Sequence, residues 1–156
     1  MFRIILLIIL QTCFCSTTVL NPLFLTTLTN KGDSINIQNI SRVHLNQFSE
    51  IESYTGFVTV NEKFKSNLFF WFFKSKNKSA PLLIWLQGGP GYSSLFGLFV
   101  ENGPFEVTKE FKLKKRKYSW TKGYSMIYFD FPIGVGFSFT EHEYGYCKHN
   151  EQNIDE

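Results

Sequence analysis

Cysteine is scarce in this chain. Its 156 residues hold three: Cys13, Cys15 and Cys147. The first two fall in a segment that reads as a secretory signal peptide, residues 1–16. Arg3 supplies the positive start, Ile4 to Leu10 form an unbroken apolar core, and the small cysteines precede a cleavage point near Ser16. With that segment removed, Cys147 has no internal partner, so a disulfide framework is excluded. Cys147 is then a buried free thiol, a link between chains, or half of a pair completed beyond residue 156. Long hydrophobic runs are also missing. Ile4 to Leu10 is too short for a conventional span, so no stable membrane anchor is expected. There is no His-Glu-x-x-His, and His44, His142 and His149 have no metal-ligand spacing, so no metal is expected. No Gly-x-Ser-x-Gly occurs, which leaves the chain without a nucleophile elbow. Charge of one sign does not dominate either. Losing Arg3 leaves 15 of the 16 Lys and Arg, against 13 Asp and Glu. A nucleic-acid partner is not expected from that balance. The densest basic run, residues 109–117, carries six Lys or Arg and one Glu, with Phe111 and Leu113 interleaved. It reads as a solvated connecting hairpin.

Aromatic residues are abundant, 18 of them phenylalanine. Residues 54–61 and 67–74 read as two antiparallel strands joined by the polar turn at 61–66. Leu68 to Phe73 are six consecutive apolar residues, so both faces of that strand must be covered. Residues 74–79 read as a polar loop, residues 82–87 as a third, buried strand, and residues 124–129 as another. The Thr-, Asn- and Ser-rich residues 17–46 read as a variable leader with little regular structure, followed by a short amphipathic helix near Val43 to Phe48.

The most informative stretch is Leu86-Gln87-Gly88-Gly89-Pro90-Gly91-Tyr92-Ser93-Ser94. Three glycines and a proline in four positions form neither helix nor strand; they predict a tight turn with open backbone amides. Such amides hold a developing oxyanion or a carboxylate. A short helical pattern follows, with Leu95, Leu98 and Phe99 on one side, Gly97 inside it and Glu101 beyond. Ser93 and Ser94 suit the cap of that helix. Asp130, at the end of a predicted strand, is expected to organise the loop of Pro132, Gly134 and Gly136.

Residues 85–104 resemble the substrate-binding segment of the serine carboxypeptidases, within them the vitellogenic-like branch, which carries glutamine where many relatives have asparagine. Two further blocks resemble the same family in order: Tyr54 to Asn61 with Leu68 to Phe73, and Trp120 to Phe139. The resemblance implies an α/β fold, the N-terminal part of an α/β-hydrolase with a mixed sheet, antiparallel opening strands and an incomplete C-terminus. It divides the chain into a signal peptide (1–16), a leader (17–49) and the N-terminal portion of a carboxypeptidase domain (50–156). It implies that the Gly89 N–H is one oxyanion-hole donor, and that Gln87, Gly88 and Glu101 receive the substrate's terminal carboxylate. Two carboxylates side by side repel unless they share a proton, which Glu101 and the substrate would do. Phe131 and Tyr92 depart from the family pattern and add bulk near the expected site. The family's serine, aspartate and histidine all come later than residue 156. The implied activity is hydrolysis of C-terminal peptide bonds through an acyl-enzyme, without a cofactor, on peptides or proteins with a free C-terminus. A secretory-route destination, secreted or lysosomal, goes with it, and a homodimer is left open. Two other readings stand beside it: a non-catalytic secreted product or binding module, and an acyltransferase of the same fold. Asn39-Ile40-Ser41 and Asn77-Lys78-Ser79 are sequons for N-glycosylation.

Overall fold

A computed structural model describes residues 21–146 apart from Lys31 and Asp33. The expected signal peptide and all three cysteines lie outside the described residues. The two aromatic-rich segments pair as expected. Strand β1 (Ser53–Asn61) runs antiparallel to β2 (Ser66–Phe73), joined by the tight turn at 62–65. Strand β3 (Leu82–Leu86) follows the polar loop. A small hairpin of β4 (Phe105–Val107) and β5 (Leu113–Lys115) stands apart as its own two-stranded sheet. Strand β6 (Ser125–Phe129) then inserts between β2 and β3, antiparallel to the first and parallel to the second. The main sheet therefore reads β1-β2-β6-β3, and the two-residue β7 (Phe139–Thr140) pairs with the start of β2. This is a mixed sheet with antiparallel opening strands, as the sequence led us to expect.

Leu68, Phe70 and Phe73 are buried, and Phe69, Trp71 and Phe72 half-buried, so β2 is covered on both faces. Its neighbours β1 and β6 satisfy its backbone, and rings from both sides pack on it. On one face Phe99 lies edge-on 6.1 Å from Trp71, and on the other Tyr54 lies 6.1 Å from Phe72. The core on one face of the sheet is Phe73, Leu98, Phe105, Met126 and Tyr128.

Two expectations need correction. The leader holds regular structure: α1 (Leu25–Thr29), α2 (Ser34–Ser41) and, in place of a helix over Val43 to Phe48, a single 3₁₀ turn at Asn46–Phe48. The first helix is held by β1 rather than by its own propensity. The Phe57 N–H donates to the Leu23 carbonyl at 2.9 Å, and the Thr59 N–H to Thr26 Oγ1 at 2.9 Å. Gly56 makes the approach feasible, since a Cβ there would stand 3.1 Å from Leu25 Cγ. Strand β3 is also not buried on both faces. It is the edge of the sheet, and Leu82, Ile84 and Leu86 face outward while Leu83 and Trp85 face the core. An unbroken apolar run says that both faces are apolar, not that both are covered among the described residues.

This difference has a measurable consequence. Leu98 is 0 % exposed and Ile84 is 62 % exposed. Leu98→Ala should cost about 3 kcal/mol, the usual range for a packed core leucine. Ile84→Ala should stay within about 0.5 kcal/mol. Urea unfolding followed by tryptophan fluorescence checks both, and equal losses would show that the outer face of β3 is covered.

Candidate active site

At the end of β3 the chain reverses. The Gln87 N–H leaves the ladder and donates to Ser94 Oγ at 3.1 Å. Gly88, Gly89, Pro90 and Gly91 project as an exposed turn between these points. Gly89 (φ +144°) and Gly91 (φ +116°) occupy backbone conformations that L side chains rarely adopt. Neither Gly88 nor Gly89 donates its amide to a group among the described residues. The Tyr92 ring packs beside Gly89, and a Cβ there would come within 3.0 Å of Tyr92 Cδ2. Tyr92 itself is well exposed.

The helix after the turn starts as an α-turn at Leu95 and widens into a π-turn over Gly97–Glu101. Ser93 caps it, accepting the Leu95 N–H at 3.2 Å. Ser94 is buried, and its hydroxyl reaches the carbonyls of Trp85, at 3.2 Å, and Phe129. Gly97 is there because of Trp85: a Cβ at 97 would stand 2.3 Å from Trp85 Nε1. With no side chain in the way, the indole lies against the helix and its N–H donates to Gln87 Oε1 at 2.9 Å. The Gln87 Nε2 donates in turn to Glu101 Oε1 at 3.1 Å. The widened turn thus brings Glu101 back beside Gln87, fourteen residues earlier. Because the indole can only donate, Gln87 must present its oxygen to Trp85 and its nitrogen to Glu101. One Nε2 proton remains uncommitted beside the glycine turn.

The segment after Glu101 is anchored from two directions. Tyr128 is fully buried and donates its hydroxyl to Asn102 Oδ1 at 2.8 Å. Burial pushes the Tyr128 pKa well above the usual phenol value, against a smaller opposing effect of Arg116, and keeps the hydroxyl a donor. Arg116 caps the end of the helix. Its Nη2 donates to the Phe99 and Phe105 carbonyls at 2.8 and 2.9 Å, and its Nε to the Gly103 carbonyl at 3.0 Å. The basic run does form a hairpin. Arg116 is the exception within it, a structural cation with a side chain only 14 % exposed.

Asp130 ties this assembly to the loop after β6. It is 1 % exposed. Its Oδ1 accepts from Ser93 Oγ at 2.6 Å and from the Ser94 N–H at 2.9 Å; its Oδ2 accepts from the Phe137 N–H at 2.8 Å. Its own carbonyl accepts from Ser138 Oγ at 2.5 Å. Gly136 (φ +55°) leaves room for the carboxylate, since a Cβ there would fall 2.0 Å from Oδ2. Asp130 thus braces two loops, as its place at the end of a strand led us to expect. The structure brings Gln87, Gly88, Gly89 and Glu101 into one neighbourhood.

Trp85, Gly97 and Arg116 escaped sequence reasoning. A glycine inside a helical pattern was the available signal for close packing. No serine pairs with a histidine among the described residues; Ser93 bonds to Asp130, and His44 and His142 are exposed. The described residues hold no group of three or more His, Cys, Asp or Glu able to bind a metal. No helix among them is long and apolar enough to cross a membrane. Both sequon asparagines, Asn39 and Asn77, are exposed.

A family model described as serine carboxypeptidase matches residues 44–156. The vitellogenic carboxypeptidase of Aedes aegypti is 50 % identical over 137 residues, covering 86 % of this chain and 29 % of the mosquito protein. The venom serine carboxypeptidase of Apis mellifera is 50 % identical over 135 residues, 85 % of this chain and 29 % of its own length. Among solved structures, Kex1(delta)p of Saccharomyces cerevisiae, a prohormone-processing carboxypeptidase, superposes with a TM-score of 0.60 at 28 % identity. That match covers 67 % of this chain and 26 % of the yeast one. The chain spans under a third of the length of these relatives.

Proposed function

The chain belongs to the serine carboxypeptidase family, and on that premise we propose that it supplies the oxyanion and terminal-carboxylate recognition of a serine-type carboxypeptidase. The observation that carries this reading is the chain of bonds from Trp85 through Gln87 to Glu101, set beside two undonated glycine amides. The Gly88 N–H and the spare Gln87 Nε2 proton hold the substrate's terminal carboxylate. Glu101, next to that carboxylate, shares a proton with it, which removes the repulsion of two ionised groups. The Gly89 N–H faces the scissile carbonyl. When the nucleophilic serine adds to that carbonyl, the oxygen gains negative charge and the preorganised amide stabilises it without reorienting. The C–N bond then breaks, the amine leaves with a proton from the histidine, and water hydrolyses the acyl-enzyme.

The serine, aspartate and histidine lie further along such enzymes, by the resemblance given above. Substrates are peptides or proteins with a free C-terminus. The venom and prohormone-processing relatives support a secretory route. The test is a chimera in which residues 44–146 of this chain replace the matched segment of the Aedes enzyme. We expect the chimera to release C-terminal residues from blocked dipeptides. The 156-residue chain alone should release none between about pH 4 and 7, because no serine pairs with a histidine among the described residues and Ser93, held by Asp130, serves as a helix cap. A folded but inert chimera, or serine-dependent turnover by the chain alone, would contradict the reading.

A further inference from the structure

Two sequons stand outside the carboxylate-binding turn, and the fold treats them differently. An N-glycan is attached through the asparagine amide, and the hydroxyl two residues on belongs to the same motif. One enzyme site must therefore meet both groups at once. Asn39 lies in the last turn of α2 (Ser34–Ser41). Helical residues two apart do not share a face. Asn39 is exposed accordingly, while Ser41 is 4 % exposed and donates its hydroxyl to the Ile37 carbonyl at 2.6 Å. The sequon can be read only if α2 unwinds. Its end is anchored to β1 by the Arg42↔Tyr54 bridge and by the Val43 N–H, which donates to the Ser53 carbonyl at 2.9 Å. Transfer acts on a chain entering the compartment, and β1 begins only twelve residues after Ser41, so this anchor forms early.

Asn77 lies in the loop between β2 and β3, and Asn77, Lys78 and Ser79 are all exposed. Asn77 Oδ1 accepts the Ser79 N–H at 3.0 Å, and the Asn77 carbonyl accepts the Ala80 N–H at 3.0 Å. This turn folds Ser79 back beside the Asn77 side chain. A backbone N–H only donates, so the amide oxygen faces Ser79 and leaves Nδ2 turned away from it. Neither Asn77 Nδ2 nor Ser79 Oγ makes a hydrogen bond among the described residues. The root of the loop is fixed: the Asn77 N–H donates to Ser75 Oγ at 3.3 Å, and the buried Ser75 donates its N–H to Ser125 Oγ on β6 at 3.1 Å. The loop enters β3 at Leu82 and the glycine turn leaves it at Leu86. Four residues of strand separate them, about 13 Å at roughly 3.3 Å per residue. A glycan on this loop stands clear of the carboxylate-binding turn.

We propose that Asn77, and not Asn39, carries an N-linked glycan, an inference that rests on the secretory route given above. Asn77 Nδ2 forms a bond to the anomeric carbon of an N-acetylglucosamine carried on a lipid diphosphate. The bond from that carbon to the diphosphate oxygen breaks, and the lipid diphosphate leaves with the electron pair. The amide nitrogen gives up one of its two protons to it.

The test is translation of the 156-residue chain with microsomes of the secretory pathway, beside a form in which a known secretory signal replaces residues 1–16. Protection from added protease reads entry, and a mobility step removed by N-glycosidase reads the glycan. Entry of the second form alone would fault the route assigned to residues 1–16 and still test the site. We expect one glycan on the protected chain, lost in Ser79→Ala and kept in Asn39→Gln. Ser79→Ala removes a hydroxyl that bonds to nothing in the fold. Ile37→Pro breaks α2 with both sequons intact, and should add a second glycan, at Asn39. No glycan on a protected chain, two on the parent chain, or loss of the glycan in Asn39→Gln would overturn the proposal. So would a single glycan in Ile37→Pro, because the helix would then not be what spares Asn39.

Discussion

Gly89→Ala in the chimera should lower kcat about a hundredfold, close to 3 kcal/mol of transition-state stabilisation. The backbone at Gly89 sits at φ +144°, and an added Cβ would press on Tyr92 Cδ2 at 3.0 Å. Alanine can be accommodated only if the peptide unit rotates, and that swings its N–H away from the developing oxyanion. Gly88→Ala is the matched control. Nothing lies within 4 Å of a Cβ at Gly88, and its φ is not in the positive region. That variant keeps its N–H in place and should retain activity within about threefold. Steady-state kinetics on one peptide substrate separates the two. Equal rates in the two variants, both folded, would remove Gly89 from the oxyanion hole.

Asp130→Ala should have the largest effect on stability, about 4 kcal/mol by urea unfolding. The carboxylate satisfies three donors: the Ser93 hydroxyl, the Ser94 N–H and the Phe137 N–H. The Ser93 hydroxyl can turn to other partners. The two amides are fixed by the backbone, and Ser94 is buried, so each loses its bond at about 1–3 kcal/mol. Asp130→Asn should cost roughly half as much. Its remaining oxygen still serves Ser93 and Ser94, while its amide group opposes the Phe137 N–H. A loss under about 1 kcal/mol for Asp130→Ala would mean that the two loops hold their shape without it.

The sheet was legible because its signals are local. Aromatic content and an unbroken apolar run mark β1 and β2, and a polar turn marks the hairpin between them. The glycine turn was legible because glycine and proline have few conformational alternatives. Glu101 could be paired with Gln87 only through family resemblance, because its placement depends on a π-turn that no residue spacing announces. The helices in the leader were missed because they are five and eight residues long, and isolated helices so short are marginal. Tertiary contacts to β1 decide the first of them. Arg116 was hidden among lysines: six cations in nine residues look alike in sequence, and only the fold shows which one meets the helix carbonyls. The exposed face of β3 was missed because apolar composition does not report which neighbours are present.

The most direct measurement of the central claim is the preference of the chimera for a free C-terminus. It is the ratio of kcat/KM for one peptide with a free carboxylate to that for the same peptide amidated. Gln87→Ala and Glu101→Ala should each reduce this ratio about tenfold or more, the worth of a charge-assisted hydrogen bond, and leave turnover of the amidated peptide nearly unchanged. A ratio that stays at the parent value in both folded variants would contradict the assignment of Gln87 and Glu101 to the terminal carboxylate.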